Sequence, residues 1–410
     1  MVAGLSRTWW TRPGLEVRGG RLVVAGRDAE DVARTSGTPT YVYDLTRVEE
    51  QASALRDALG GAGLRGLVRL ALKAQREPDV LAFLRERCPW VELDVCSPGE
   101  VAWGLRYGWR ADEISYTGTN LSERDLDVIL GARVHLNLDL LAQLDRVGRR
   151  APGTSVGVRV NPRVGASWGG GTSTLYTGER PTKFGVFEEQ LADAVAICAK
   201  HGLTIDTVHV HVGDGYLSDG LPVFAETMRR ISGMTRTLRD LGCPIREVNT
   251  GGGLGVPQRS GDAPLDLARW AAIAAEHLGP LDVAVATEPG DFLVKESAVL
   301  LAEIVTLEER DGVLFAGLDT GWNQAPERFI YDALLDVVVC RAADAEPERP
   351  VTVSGNINEG DDLFAIDLPL PAVREGDVVA LLGVGSYNAS LYSEHCLRPP
   401  ASAVFFRDRP

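Results

Sequence analysis

The chain has 410 residues, 45% of them hydrophobic, and a formal net charge of -15 at pH 7. This length and apolar content are sufficient for a large core and favour two domains. The acidic balance argues against nucleic acid or a membrane surface as a partner, because both attract basic proteins. Since no apolar run reaches the length of a membrane span and the first residues lack a signal-peptide pattern, we expect a soluble cytoplasmic protein that acts on a small molecule. The six cysteines stand singly, which predicts reduced thiols and no metal site.

Short runs rich in Val, Ile and Leu alternate with amphipathic stretches through the first three quarters of the chain. Strands separated by helices run parallel and are buried on both faces. The predicted strands cover residues 68–72, 91–95, 113–117, 134–138, 155–160, 207–212, 245–249 and 283–287. Eight such units predict a closed (β/α)8 barrel, which we place at residues 40–295. The long Gly- and Thr-rich connection 163–185 is typical of a functional or mobile loop.

Beyond about residue 295 the pattern changes to alternating strand-like runs separated by turns. The segment "RGGRLVVAG" near the N-terminus has the same character. This predicts an α/β protein in which the barrel is joined to a second, C-terminal β-sandwich or β-barrel domain, formed by residues 296–410 together with 1–39.

Polar residues follow the predicted barrel strands, where reactive groups of such barrels lie. Lys73 ends the first strand, and a lysine desolvated there could form an imine with an aldehyde, or it could pair structurally with Asp94 or Glu288. His211 could place its ring against a flat ligand or be a satisfied core histidine, and with His209 it could also ligate a metal.

A glycine-rich turn, "NTGGGLGV" (249–256), could bring backbone amides to a phosphate, and "TEPGD" (287–291) ends the last strand with Glu288. Each signal is weak when it is taken alone. Together they meet the needs of pyridoxal 5'-phosphate, which requires a lysine for its aldehyde, amides for its phosphate and an acid for its ring nitrogen.

These residues resemble those of the fold-type III pyridoxal-phosphate decarboxylases, a group that includes the diaminopimelate and ornithine decarboxylases. "LALKAQ" resembles the family segment Y/V-A-x-K-A-N, "HVHVGDG" resembles H-x-H-I-G-S, and "GVGSYNAS" resembles G-A-Y-G-x-S. The resemblance implies that Lys73 is the Schiff-base lysine, that His211 stacks on the cofactor ring and that Glu288 faces the pyridine nitrogen. It also implies a homodimer whose active sites are completed across the interface. Further cofactor contacts implied by the matched segments are Asp94, Arg159, Asp214, Gly252, Gly253, Gly290, Asp291 and Tyr387.

The chain departs from the family where a cysteine of the second subunit donates a proton to the substrate's Cα. Asn358 stands there, beside Glu359, and an amide has no proton to give at neutral pH. Lys73, Tyr331 or water could supply the proton instead. The resemblance further implies that Arg328, Tyr331 and Glu359 contact the substrate.

Other departures place acids where the family has Ser or Arg, at Asp214, Asp291 and Glu327, and a histidine, His395, replaces a family tyrosine. Loss of two arginines argues against diaminopimelate, whose distal carboxylate needs bidentate partners. We therefore expect a decarboxylase of another amino acid or amino-acid derivative, free or carrier-bound, in a specialised biosynthetic pathway. The alternatives are a racemase or epimerase, a catalytically idle cofactor-binding relative, and a metal-dependent hydrolase that uses His209 and His211.

Overall fold

A computed structural model describes residues 8–167 and 182–410, so most of the predicted long connection 163–185 lies outside the described residues. The N-terminal part forms a small antiparallel sheet, a helix and one further strand. These elements are β1 (Leu15–Arg18), β2 (Arg21–Val24), β3 (Arg27–Asp28), α1 (Ala29–Ser36) and β4 (Thr40–Asp44).

The centre of the chain forms a closed barrel of eight parallel strands. They are β5 (Arg65–Ala71), β6 (Glu92–Val95), β7 (Ile114–Thr117), β8 (His135–Leu138), β9 (Ser155–Arg159), β11 (Thr204–His209), β13 (Glu247–Asn249) and β14 (Ala284–Thr287). Two further short strands, β10 (Ala166–Ser167) and β12 (Gly213–Asp214), pair with each other outside the barrel. Strand β14 pairs with β5 and closes the ring, which confirms the predicted barrel.

Helices surround the barrel because each connection buries one apolar stripe against the strands. They are α2 (Leu45–Gly61), α3 (Pro78–Arg87), α4 (Pro98–Arg106), α5 (Glu123–Ala132), α6 (Leu141–Arg150), α7 (Leu191–His201), α8 (Leu221–Asp240), α9 (Leu267–Leu278) and α10 (Asp291–Val294). Local sequence explains where they begin: Ser97 caps α4 by accepting a hydrogen bond from the Glu100 amide at 3.1 Å, with Pro98 in the first turn. Among the helices of the described residues, none is long and apolar enough to cross a bilayer.

The last quarter of the chain forms a mixed sheet, and α11 (Glu327–Tyr331) lies in one of its connections. The strands are β15 (Ala298–Arg310), β16 (Val313–Leu318), β17 (Val337–Val339), β18 (Arg349–Ser354), β19 (Leu363–Leu370), β20 (Val378–Leu382) and β21 (Ser402–Phe406). Strand β4 pairs with both β15 and β21, and we call these eight strands the β-domain.

The N-terminal sheet packs on the β-domain through a core that is separate from the barrel core. Trp10, Leu22 and Val24 from the N-terminal segment join Val299 and Leu301 of β15 in this cluster. The second domain that the sequence predicts is thus present as a mixed sheet. The predicted limits, 40–295 against 1–39 with 296–410, remain a proposal, and strand pairing adds that β4 lies in the β-domain sheet.

Candidate active site

The turn that carries Lys73 lies at the barrel mouth, by which we mean the end where the strands have their C-termini. Strand β5 ends at Ala71, and the Leu72 amide donates to the Asp94 carbonyl at 2.9 Å. The Ala71 amide donates to the Pro289 carbonyl at 3.2 Å. The turn is therefore tied to the ends of both neighbouring strands.

Lys73 itself is exposed, which differs from the sequence-based expectation of a lysine desolvated among apolar neighbours. The reason is that the strand ends two residues earlier, so the turn lifts Lys73 out of the barrel interior while Leu72 and Ala74 stay buried. Its charge partly offsets the rise that burial causes in the pKa of Asp94, and it adds to the lowering that burial causes in the pKa of His211.

The β-domain holds the same turn from the other side. The Tyr387 amide donates to the Ala74 carbonyl at 2.9 Å, and Gln75 Nε2 donates to the Gly385 carbonyl at 2.9 Å. Gln75 is buried, so this amide contact is made away from bulk water. The position of Lys73 consequently depends on the loop that carries Tyr387.

Glu288 lies inside the barrel mouth in a buried hydrogen-bond network. Its Oε2 is 3.0 Å from His209 Nε2, and its Oε1 accepts from Asn249 Nδ2 at 2.6 Å. Burial by itself raises the pKa of Glu288. His209, Arg69 and the Asn249 hydrogen bond lower this pKa by more than burial raises it, so the net shift is downward. Glu288 is therefore held as a carboxylate.

Asp94 is a second buried carboxyl of the mouth and has the opposite protonation tendency. It is only 8% exposed, and its Oδ1 has no hydrogen-bond partner among the described residues. Burial, followed by the negative charge of Glu288, raises the pKa of Asp94 well above its ordinary value. The mouth thus contains one ionised and one readily protonated carboxyl, as expected for two acids sharing a poorly hydrated site.

His211 lies beyond β11, which ends at His209 rather than at the predicted residue 212. Burial lowers the pKa of His211 well below its usual value, and the charges of Arg159 and Lys73 act in the same direction. Its Nδ1 accepts a hydrogen bond from the Gly252 amide at 3.3 Å. The ring is therefore neutral and fixed in orientation, which suits stacking on a flat ligand.

The predicted glycine cradle lies beside His211 and Glu288. A Cβ added at Gly252 would lie 2.5 Å from the Glu288 carbonyl oxygen, and Gly253 has a φ of +93°. At Gly290 an added Cβ would lie 2.8 Å from Tyr387 Oη. Only glycine therefore fits at these positions, as the predicted glycine-rich turn requires.

Three further predicted residues are located by their contacts. Arg159 ends β9 with its guanidinium 4.3 Å from the centre of the Phe184 ring. Tyr331 ends α11, and its ring lies edge-on to Tyr387 at 5.9 Å between centroids. Arg328 on the same helix donates to the Ala333 carbonyl at 3.3 Å.

The two acids predicted near the phosphate have different surroundings. Asp214 is exposed in β12, where it pairs with Ser167. Asp291 accepts a hydrogen bond from Ser386 Oγ at 2.6 Å and lies 3.7 Å from Lys295 Nζ. The charge of Asp291 is therefore opposed by a lysine.

Asn358 and Glu359 are exposed in a loop of the β-domain. The buried Asp362 organises this loop by accepting from the Trp322 amide at 2.8 Å and the Ile357 amide at 2.7 Å. Glu359 Oε1 lies 3.1 Å from Nε2 of His395, which also belongs to the C-terminal part. The described hydrogen bonds of this loop stay within the C-terminal quarter, and none of them joins Asn358 or Glu359 to a residue of the barrel mouth.

Sequence reasoning missed Lys295, which is 4% exposed and joins Asp291 to Glu327. A signal was present, because Lys295 follows Asp291 by four residues in an otherwise apolar run. It also missed Asn249, whose Oδ1 accepts from the Gly251 amide at 2.9 Å and whose Nδ2 holds Glu288. An asparagine two residues before a run of three glycines is the corresponding sequence signal.

A barrel mouth with a lysine, a neutral histidine, an ionised glutamate and a glycine cradle defines a pyridoxal-phosphate-binding barrel. Residues 45–295 match the family model described as pyridoxal-dependent decarboxylase, pyridoxal binding domain. The chain therefore belongs to this family, its cofactor is pyridoxal 5'-phosphate, and it is an amino-acid carboxy-lyase.

The relatives cover nearly the whole chain. The diaminopimelate decarboxylase of Methanothermobacter thermautotrophicus is 32% identical over 406 residues, which is 97% of this chain and 93% of that protein. The diaminopimelate decarboxylase of Streptomyces coelicolor is 30% identical over 390 residues, covering 90% and 84% of the two chains. The crystal structure of Helicobacter pylori diaminopimelate decarboxylase with L-lysine has a TM-score of 0.82 at 25% identity, covering 92% of this chain and 93% of that one.

Proposed function

We propose that this chain decarboxylates diaminopimelate, releasing CO2 and leaving lysine. The observation that carries the proposal is the 32% identity to a diaminopimelate decarboxylase over 97% of the chain. The Helicobacter pylori relative was crystallised with L-lysine, which is diaminopimelate without one carboxylate. A small amino acid is therefore the ligand class for which the mouth of this barrel is suited.

The sequence-based exclusion of diaminopimelate is wrong, because the relatives that cover the chain are themselves diaminopimelate decarboxylases. The proposal of a diaminopimelate decarboxylase takes the place of the expected specialised pathway. It also takes the place of the racemase and idle-relative alternatives. The exclusion rested on two lost arginines, beside three gained acids. It did not include Lys295, which neutralises charge between Asp291 and Glu327. It also did not consider Arg159, a cation at the end of β9 in the mouth.

The residues of the mouth fit pyridoxal phosphate. Lys73 Nζ would hold the aldehyde carbon, the His211 ring would lie against the pyridine ring, and Glu288 would face the ring nitrogen. The Gly253 amide, with Tyr387, would hold the phosphate, while the Gly252 amide holds the His211 ring beside it. When bound, the cofactor supplies an electron sink for the pair left at Cα when the carboxylate departs.

The protein groups have separable tasks in this proposal. The carboxylate of Glu288 keeps a proton on the ring nitrogen, because His209 and Asn249 stabilise its ionised form. Neutral His211 covers the ring without adding a competing charge. The proton that Cα gains comes from Lys73, Tyr331 or water, since the amide of Asn358 has none to give.

A homodimer completes the proposal, because the exposed loop of Asn358 and Glu359 would then reach the mouth of the partner subunit. Glu359 would contact the substrate there, and Arg328 is proposed as a further substrate contact. Asp214 and Asp291 are proposed to border the phosphate side rather than to bind the phosphate directly. A cytoplasmic location stays a prediction from the sequence.

The test is to incubate the cofactor-loaded protein with diaminopimelate, lysine and ornithine separately and to follow CO2 and amine products. We expect CO2 from diaminopimelate with an at least hundredfold preference over the other two. The control is Lys73→Ala, which we expect to lose both turnover and the covalent attachment of cofactor after borohydride reduction. Deuterium uptake at Cα without CO2 release would refute decarboxylation.

A further inference from the structure

A buried cation lies where the β-domain loop and the barrel meet. Lys295 directly follows α10 and is 4% exposed. Its Nζ donates to Glu327 Oε1 and lies 3.7 Å from Asp291 Oδ1. Glu327 is 6% exposed, so this acid–lysine–acid cluster is largely shielded from water.

Each carboxylate of the cluster is bonded to a residue flanking Tyr387. Ser386 Oγ donates to Asp291 Oδ1 at 2.6 Å, and Asn388 Nδ2 donates to Glu327 Oε2 at 3.1 Å. Both flanking residues are buried.

Main-chain groups extend the same network. The Glu327 amide donates to Asn388 Oδ1 at 3.2 Å, and the Gly385 amide donates to the Lys295 carbonyl at 3.1 Å. Asn388 Nδ2 also donates to the Ser386 carbonyl at 2.7 Å. The loop from 385 to 388 is therefore fixed on both sides of Tyr387.

Tyr387 depends on this support because its backbone is in the left-handed region, with a φ of +50°. A non-glycine residue keeps that conformation only when its surroundings impose it. The ring must also fit against Gly290, where even a methyl group would lie 2.8 Å from the tyrosine Oη. Gly290 is directly bonded to Asp291, so the cluster controls both sides of this contact.

We propose that Lys295 is a positioning residue for the cofactor phosphate. With Asp291 and Glu327 it sets the distance between Tyr387 and the Gly290 turn. The inference rests on the assignment of Tyr387 and Gly290 to the phosphate under the proposed function, and it does not depend on the substrate. In this chain Lys295 supplies the cation that faces the two acids at positions 291 and 327.

Electrostatics agree with this geometry. Burial lowers the pKa of Lys295, but Asp291 and Glu327 raise it by more, so the ammonium stays charged. Burial raises the pKa of Glu327 to about 7, against the opposing effect of Lys295. Removal of the lysine charge would leave two buried acids facing each other, which forces protonation or movement of a loop.

The experiment measures the Kd of pyridoxal phosphate by absorbance titration of the cofactor-free full chain, together with Tm. Lys295→Met keeps the chain length and removes the charge, and we expect the Kd to rise at least tenfold. Lys295→Arg keeps the charge and should stay within threefold of the unsubstituted protein. The matched control is Arg341→Met, which removes a cation 2.7 Å from the buried Asp377 of the β-domain. It should lower Tm without changing the Kd.

A second variant covers the case in which Lys295→Met does not fold. Ser386→Ala removes only the hydroxyl that joins the loop to Asp291, and we expect a Kd three- to tenfold higher at nearly unchanged Tm. An unchanged Kd in Ser386→Ala, or in folded Lys295→Met, overturns the positioning role and leaves a purely structural one. Failure of diaminopimelate turnover in the unsubstituted protein would instead refute the proposed function, since cofactor binding is measured without substrate.

Discussion

Replacement of Glu288 by glutamine tests the electrostatic centre of the site with almost no change of shape. The carboxylate lies 3.0 Å from His209 Nε2 and accepts from Asn249 Nδ2 at 2.6 Å. Glutamine keeps one oxygen acceptor but carries no charge and presents an NH2 group to one of these partners. The ring nitrogen of the cofactor would then lose the anion that keeps it protonated.

The expected size of the loss in kcat follows from the loss of a buried charge. Removing one group that stabilises developing charge typically lowers kcat by about 10²- to 10³-fold, or roughly 2.7–4 kcal/mol. Stability should fall less, by about 1–2 kcal/mol, because a hydrogen bond to a charged acceptor is exchanged for a neutral one.

The effect of Glu288→Gln on stability should depend on pH. Because the pKa of Glu288 is lowered in the folded protein, its contribution to stability is present above the unfolded pKa and is lost as pH falls through the folded value. The stability difference between Glu288→Gln and the unsubstituted protein should therefore be largest near neutral pH and shrink in acid.

The assay is steady-state CO2 release at saturating cofactor, with urea unfolding at several pH values. The control is Glu247→Gln, the same substitution on β13 at the opposite end of the barrel, where the carboxylate pairs with Arg69. It should lower stability and leave kcat within a factor of three. If Glu288→Gln also kept kcat within threefold, the assignment of Glu288 to the ring nitrogen would be refuted.

Three further outcomes follow from local geometry. Gly290→Ala, whose Cβ would lie 2.8 Å from Tyr387 Oη, should raise the Kd of pyridoxal phosphate at least tenfold with a small change in Tm; an unchanged Kd would remove Gly290 from the phosphate site. Arg69→Met should cost about 3–5 kcal/mol in urea unfolding, because it leaves the Glu247 carboxylate partly buried and without its guanidinium; a loss below 1 kcal/mol would contradict this. Burial raises the pKa of Asp336 to about 6, so its stabilising effect is present in acid and is lost as pH rises through that value. Asp336→Asn should therefore flatten this part of the stability profile and gain about 1–2 kcal/mol at pH 8, and an unchanged profile would exclude the shift.

The barrel could be predicted from sequence because buried parallel strands are continuous apolar runs of fixed length between amphipathic helices. The start of the predicted strand 283–287 differs from that of β14 by one residue. The strand predicted at 207–212 begins at Thr204 and ends at His209 instead, since the alternation "HVHV" continues past the last ladder pairing. Apolar alternation reports burial, and it does not report where hydrogen bonding between strands stops.

The site was less predictable where its properties depend on distant parts of the chain. The exposure of Lys73 is decided by a turn that residues 385–390 hold in place, more than three hundred positions away. Lys295 lies between Asp291 and Glu327 and opposes the negative charge of each. The two acids come from separate connections, so their pairing with Lys295 is not visible in a local motif. A motif comparison covers only the replaced arginines, so it left out the lysine that faces both acids.

The most direct test of the central claim is the stoichiometry of the reaction with diaminopimelate. Cofactor-loaded protein should release one CO2 and form one lysine for each diaminopimelate consumed, and Lys73→Ala should do neither. Cofactor bound at Lys73 with no CO2 from diaminopimelate, or consumption of diaminopimelate without lysine, would contradict the proposed activity.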